Sequence, residues 1–190
     1  GGGRGLHAAV EQGVEATLAV LDESGLRGRG GGGFPTGTKW RTVLGHTVAG
    51  APPEVVVNAA EGEPGSFKDR ALLRTNPYRV LEGALIAAFV VGADRVVVAT
   101  KESFDREVRR LREAIDEVVA AGWAPSTAVD VVTGPDAYLF GEETALLEVL
   151  DGRLPFPRIA PPWRQGLDAA PDDSASAAHI ELGAPEGGSR

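Results

Sequence analysis

The chain has 190 residues, 43% apolar and 24% charged, a composition that suits one globular domain with a short remainder and excludes general disorder. A net charge of −8 and the absence of cysteine exclude a basic nucleic-acid-binding face, disulfides, thiolate zinc sites and an ordinary iron–sulfur cluster on this chain's own residues. The longest apolar run, Ala84 to Val91, is far short of the ~20 residues of a membrane-spanning helix, so no direct membrane insertion is expected.

Apolar residues at Val10, Val14, Leu18 and Leu21 predict a helix over His7 to Leu21, with Gly13 its weak point. Gly25 to Trp40 is too rich in glycine for a regular element, yet its arginines, lysine and aromatics distinguish it from a bland linker; it reads as a shaped loop. Glu54 to Asn58 is a β-branched run that predicts a buried strand, followed by the polar turn Ala59 to Gly65. Asn76-Pro77, a cap and a first-turn proline, opens a helix through Val91 that Gly92 stops. A second strand is expected at Arg95 to Thr100. Phe104, Val108, Leu111, Ile115 and Val118 then mark an amphipathic helix closed by Gly122. A third strand, Ala128 to Val132, leads to Gly134 and to a helix starting near Gly141.

This alternation predicts an α/β fold, a mainly parallel sheet with helices on both faces. Ligands of such sheets collect beyond the carboxyl ends of the strands, and the loops after Val57 and Val132 carry polar clusters there. The expected organisation is an α/β domain at 1–165, with the N-terminal helix and glycine-rich loop in 1–50 and the sheet core in 51–165. A low-complexity, disordered tail is expected at 166–190. His7, His46 and His179 have no partner at metal spacing, so no metal site is expected. No secretory signal is visible, and the opening Gly1-Gly2-Gly3-Arg4 without methionine suits a fragment or a processed product, with the cytoplasm as the expected compartment.

Three clusters carry chemistry. Gly28-Arg29-Gly30-Gly31-Gly32-Gly33 fits G-x-G-x-x-G formally but follows a helix, where the dinucleotide fingerprint needs a preceding strand. Gly32 to Gly37 has P-loop spacing, with Thr38 where the lysine belongs and Lys39 one place late. The segment can still converge backbone N–H groups on an anion, with Arg29 and Lys39 to neutralise it, or be a glycine hinge with incidental charges. Asn58 to Glu63 sets an amide and two carboxylates beyond a strand end, as ribose hydroxyls and imide N–H groups require and as a solvated acidic turn would also do. Glu142 and Glu143, after Tyr138 and Gly141, either complement a helix dipole or, through Glu143, select against a 2′-phosphate.

Together these clusters resemble the family of the 51-kDa (F) subunits of respiratory-type NADH dehydrogenases, which includes the diaphorase subunits of NAD-reducing hydrogenases and formate dehydrogenases. Gly28 through Trp40 is similar to G-R-G-G-x-G-F-P-T-G-x-K-W, Asn58 through Arg70 to N-A-D-E-x-E-P-G-x-F-K-D-R, and Tyr138 through Leu146 to Y-x-x-G-E-E-T-A-L. Gly152, Pro157-Arg158 and Pro161-Pro162 follow as in the family, and the resemblance covers about Gly25 to Pro162.

The resemblance implies a modified nucleotide-binding fold that holds FMN and lets NADH stack on it, with hydride passing directly to the flavin and no catalytic acid or base. It assigns FMN to Gly28, Arg29, Gly30, Gly31, Lys39, Asn58, Glu61, Tyr138, Gly141 and Glu142, and NADH to Phe34, Glu63 and Glu143. It implies an iron–sulfur electron-transfer subunit as partner, onward transfer toward quinone, and peripheral attachment to a membrane through a complex. The full-length family carries a 4Fe-4S cluster, for which this chain has no ligands.

Three departures stand out. Ala60 replaces an aspartate that bonds the flavin, and Thr42 replaces a second aromatic. From Ala169 onward the pattern dissolves, as a truncation or a reading-frame change near Pro171 would produce. The expected function is thus an FMN-dependent NADH dehydrogenase module, against a noncatalytic nucleotide-binding remnant of the same family or, with Lys39 misplaced, a phosphate-loop ATPase.

Overall fold

The structure is a computed structural model and describes residues 2–29, 32–47, 50 and 52–158. Gly30, Gly31, Pro161, Pro162 and the expected tail at 166–190 lie outside the described residues.

Three parallel strands, β1 (Glu54–Ala59), β2 (Arg95–Lys101) and β3 (Ala128–Gly134), form one sheet in the order β1-β2-β3. Val56 pairs with Val97 across the first ladder, and Val97 with Asp130 across the second. Helix Pro77–Val91 connects β1 to β2, and helix Asp105–Ala120 connects β2 to β3. Two right-handed crossovers stepping the same way must lie on one face of the sheet. The packing agrees: Val57 and Val98 meet Leu81 of the first helix and Leu111 and Ile115 of the second. On the other face Val56 and Ala99 meet Phe140, Leu146 and Val149, which belong to the last helix, Glu143–Leu150, and the 3-10 turn before it, Tyr138–Gly141. Helices on both faces leave Val96 to Thr100 of the central strand at 0–1% exposure, which explains why β2 reads as a continuous apolar run rather than an alternating one.

The expected single helix over His7 to Leu21 is two, α1 (Arg4–Gln12) and α2 (Val14–Ser24). Gly13 lies between them at φ 84, ψ 174, a conformation that L side chains rarely adopt and that ends the helical ladder. The first-turn amides of α1 are capped from a distance, Gly5 and Leu6 N–H donating to Glu82 Oε1 at 2.7 and 3.2 Å.

The shaped loop is shorter than expected, because Thr36–His46 is helix α3. Arg41 of α3 donates to Asp22 of α2 at 2.7 Å, which fixes the helix beside its predecessor. A further helix with no sequence-level expectation, α4 (Lys68–Thr75), sits inside the second motif and buries Leu73. The remaining helices among the described residues are α5 (Pro77–Val91), α6 (Asp105–Ala120) and α7 (Glu143–Leu150). Asn76 caps α5 as expected, its side chain accepting from Arg79 N–H.

Candidate functional site

The glycine-rich segment is a loop closed at its base. Arg27 and Pro35 form an isolated antiparallel bridge, Gly28 N–H donates to Phe34 O at 2.9 Å, and Thr36 N–H donates to Leu26 O at 2.9 Å. Arg27 Nη1 adds a bond to Gly33 O at 3.0 Å. These bonds hold the neck of the loop. Phe34 is 56% exposed, and Arg29 is exposed with no hydrogen bond or ion pair to another described residue. Helix α3 starts directly after the loop, and no side chain caps its N-terminus. The first-turn amides beyond Thr36 and the positive end of the helix dipole favour an anion there. Lys39, on the first turn of α3, reaches to 3.9 Å from Glu143, with both side chains largely exposed. An ion pair so exposed contributes little stability and yields readily to a better partner.

The second motif begins on the last turns of β1. Asn58 Nδ2–H donates to Gly141 O at 2.8 Å, and its Oδ1 accepts from Ala60 N–H at 3.2 Å, so one amide ties the strand end both to its own turn and to the third motif. The Glu61 side chain is 1% exposed. It accepts from Arg70 Nε at 3.0 Å, Ser66 Oγ at 3.0 Å and Asp69 N–H at 3.1 Å, thereby capping α4 and clamping the turn to it. Burial alone would push this carboxyl up, but the bonds from Arg70, the Asp69 amide and Ser66 outweigh it and hold the group below its ordinary value. The Arg70 guanidinium also lies over the Phe104 ring, 4.9 Å from its centre. Glu63 is exposed.

The third motif is seated by glycines. A Cβ on Gly134 would lie 2.4 Å from the ring of Phe140, which is 0% exposed, and one on Gly141 would lie 3.0 Å from Ala60 O. Only a residue without Cβ lets the 3-10 turn drop onto the carboxyl ends of β1 and β3. Tyr138 is left 66% exposed, its ring 3.3 Å from the position of a Cβ on Gly62. Glu142 is the N-cap of α7, its Oε2 accepting from Thr144 N–H at 2.9 Å, Ala145 N–H at 2.8 Å and Thr144 Oγ1 at 2.6 Å. Glu143 follows on the first turn with its carboxylate in solvent.

The fold therefore brings the three clusters to one end of the sheet through Asn58–Gly141, Gly62–Tyr138 and Lys39–Glu143. The candidates divide in two. Gly28, Arg29, Phe34, Lys39, Glu63, Tyr138 and Glu143 present themselves outward or stay unengaged, whereas the carboxylates of Glu61 and Glu142 are engaged inside the chain. One charged residue at this end escaped the sequence reading. Lys101, the last residue of β2, is 8% exposed and donates to Asp136 O at 3.3 Å. Its signal was available: a lysine closing an otherwise apolar central strand, at the end where ligands of parallel sheets gather.

The profile of the Nuo51 FMN-binding domain family matches residues 21–180. Over 170 residues the chain is 41% identical to an NADH-quinone oxidoreductase subunit of Rhodobacter capsulatus, covering 85% of this chain and 39% of that protein. It is 40% identical over 162 residues to the mitochondrial NADH dehydrogenase [ubiquinone] flavoprotein 1 of Dictyostelium discoideum, covering 81% of this chain and 34% of that one. A chain of a solved NAD+-reducing [NiFe]-hydrogenase in the H2-reduced state superposes with a TM-score of 0.76 at 35% identity, over 86% of this chain and 29% of that chain. The chain thus spans about two fifths of the length of the curated relatives it matches. The expected resemblance holds, and the family match runs past Pro162: the chain belongs to the Nuo51 FMN-binding domain family.

Proposed function

We propose that this chain is the FMN- and NADH-binding module of a flavin-dependent NADH dehydrogenase. The observation that carries the reading is the convergence of a cation-bearing glycine loop with two rigid polar turns at the carboxyl end of a parallel sheet. The donor set suits the cofactor. Loop amides near Gly28, with Arg29 and Lys39 at the α3 N-terminus, match a phosphate, and Asn58 and the turn after it match ribose and imide groups. Glu61 and Glu142 serve by holding the two turns in shape. Phe34 and Tyr138 offer exposed aromatic surface for stacking a nucleotide, while Glu63 and Glu143 accept from its ribose hydroxyls.

When bound, FMN supplies the two-electron chemistry that accepts hydride from NADH; the chain supplies stacking, orientation and charge, and needs no acid or base of its own. An iron–sulfur subunit of the complex would be the partner that carries electrons onward toward quinone, with the whole assembly peripheral on the cytoplasmic side of a membrane. Among the described residues no helix is long and apolar enough to cross one.

The test is the visible spectrum of the purified chain with added FMN, followed by anaerobic NADH. Retention of flavin at micromolar concentration and bleaching by NADH support the module; no retention defeats it. Glu143→Gln should narrow the preference for NADH over NADPH about tenfold, because a carboxylate repels the 2′-phosphate. A second reading, a nucleotide-binding remnant without turnover, rests on Ala60. It is 1% exposed and brings a methyl where the family motif has an aspartate that bonds the flavin, and it predicts poor flavin uptake or none.

A further inference from the structure

We propose that Lys101 is an additional cofactor-contacting cation, directed at the electron-rich edge of the flavin ring and not at its phosphate; the proposal rests on the reading of the chain as an FMN-binding module. Lys101 lies on the same sheet face as Ala99, the face covered by the 3-10 turn and α7. Its Nζ sits 3.6 Å from the position of a Cβ on Gly62, beneath the turn between Glu61 and Glu63. Its hydrogen bond to another described residue is one contact of 3.3 Å, to the Asp136 carbonyl. No described carboxylate comes within 4.0 Å of it, although every other lysine of the chain, Lys39 and Lys68, has such a partner.

An ammonium carries three donors. Burying it beside a single carbonyl, with no described anion, is unfavourable. The position makes sense if an electron-rich group completes its shell.

The chemistry of the neighbours selects which group. The features suited to phosphate, namely the glycine loop, Arg29, Lys39 and the N-terminal end of α3, all belong to the first motif. Lys101 belongs with the second and third, beside Gly62, where the exposed Tyr138 ring offers an aromatic surface. A ring whose pyrimidine carbonyl edge gains negative charge on reduction is the ligand part that suits a cation there, and charge at that edge tunes the potential.

The experiment compares the unsubstituted chain, Lys101→Met and Lys101→Arg for binding of FMN and of riboflavin, which lacks the phosphate, and for the midpoint potential of the bound flavin. Lys101→Met should weaken both ligands by the same factor of about ten and favour the oxidised form. Each tenfold loss of preference for the reduced form lowers a two-electron potential by about 30 mV. Lys101→Arg should restore most of both. An unchanged potential with only a lower unfolding temperature would make Lys101 a tether for the Asp136 segment and overturn the proposal, as would a loss confined to FMN.

If Lys101→Met does not fold, the three lysines of the unsubstituted chain allow a direct reading by NMR of their labelled ε-methylenes, with Lys101→Arg identifying the Lys101 signal. That signal should move on adding riboflavin and again on reduction; a signal indifferent to both defeats the idea. Failure of the unsubstituted chain to take up either flavin overturns the module reading and Lys101 with it, whereas uptake with an indifferent Lys101 overturns only the latter.

Discussion

The two sides of the candidate site are built on opposite principles. The turn after β1 and the segment between β3 and α7 are bonded to each other and to the sheet: Asn58 holds Gly141, Glu61 holds Arg70 and α4, and Phe140 is sunk against Gly134. Among its described residues the glycine-rich loop is bonded only across its own neck and leaves Arg29 and Phe34 outward. A preorganised wall and a rim with unengaged donors are complementary: the wall sets geometry before a ligand arrives, and the rim gains its partners from the ligand. Substitutions in the wall should therefore read out as stability, and substitutions in the rim as binding.

The largest stability effect should come from Gly134→Ala. The added methyl meets a fully buried ring at 2.4 Å, so either the strand end or Phe140 must shift. A loss of about 3 kcal/mol is expected from overpacking of this kind, measured as a lower urea midpoint at constant slope. A loss under about 0.5 kcal/mol would mean that the 3-10 turn is seated less firmly than the contact implies.

Next comes Glu61→Gln, with about 2 kcal/mol lost at neutral pH through weakened charge-assisted bonds. The folded-state value of this carboxyl is depressed, so its contribution is complete above the ordinary carboxylate range and disappears as pH falls through the folded value. The unsubstituted chain should lose stability below about pH 4.3, and Glu61→Gln should lose less over the same interval. Parallel acid limbs in the two proteins would count against the clamp.

A smaller change, about 1 kcal/mol, is expected for Asn58→Ala, which removes one solvent-exposed bond to Gly141 and one part-buried bond from Ala60. Because the same amide is shared by two motifs, flavin affinity should fall alongside stability. A fall in stability alone would make Asn58 purely a brace.

This division also explains what could be read from the sequence. The three strands and α5 and α6 follow from β-branched runs, helical periodicity and the Asn76-Pro77 start, all local signals. Helix α3 was hidden because Thr36, Gly37 and Thr38 are weak helix formers and the segment sits behind a run of glycines; tertiary anchoring of Arg41 to Asp22 overrides that weakness. Helix α4 is short and buries only Leu73, too little periodicity to notice. The motif residues were legible by position but not by role. That Glu61 faces inward and Glu143 outward depends on Arg70 and on the cap made by Glu142, contacts that no spacing reveals. Lys101 was missed because a charged strand end ordinarily points to water, and only the turn folded over it makes it buried.

The smallest stability effect, and the one that tests the comparison most directly, belongs to Arg29→Ala. Arg29 is exposed and engages no other described residue, so its loss should change folding stability by less than about 0.5 kcal/mol. If the rim works as argued, the same substitution should weaken FMN about tenfold or more, since a charge-assisted bond to phosphate is worth roughly 1.5 to 3 kcal/mol. Riboflavin, with no phosphate to engage, should bind the substituted and unsubstituted chains alike, and the FMN difference should shrink as salt rises. Equal losses for both ligands would place Arg29 against the ring; a loss of stability comparable to that of Asn58→Ala would show that the rim is braced like the wall, and the contrast between the two sides would fall.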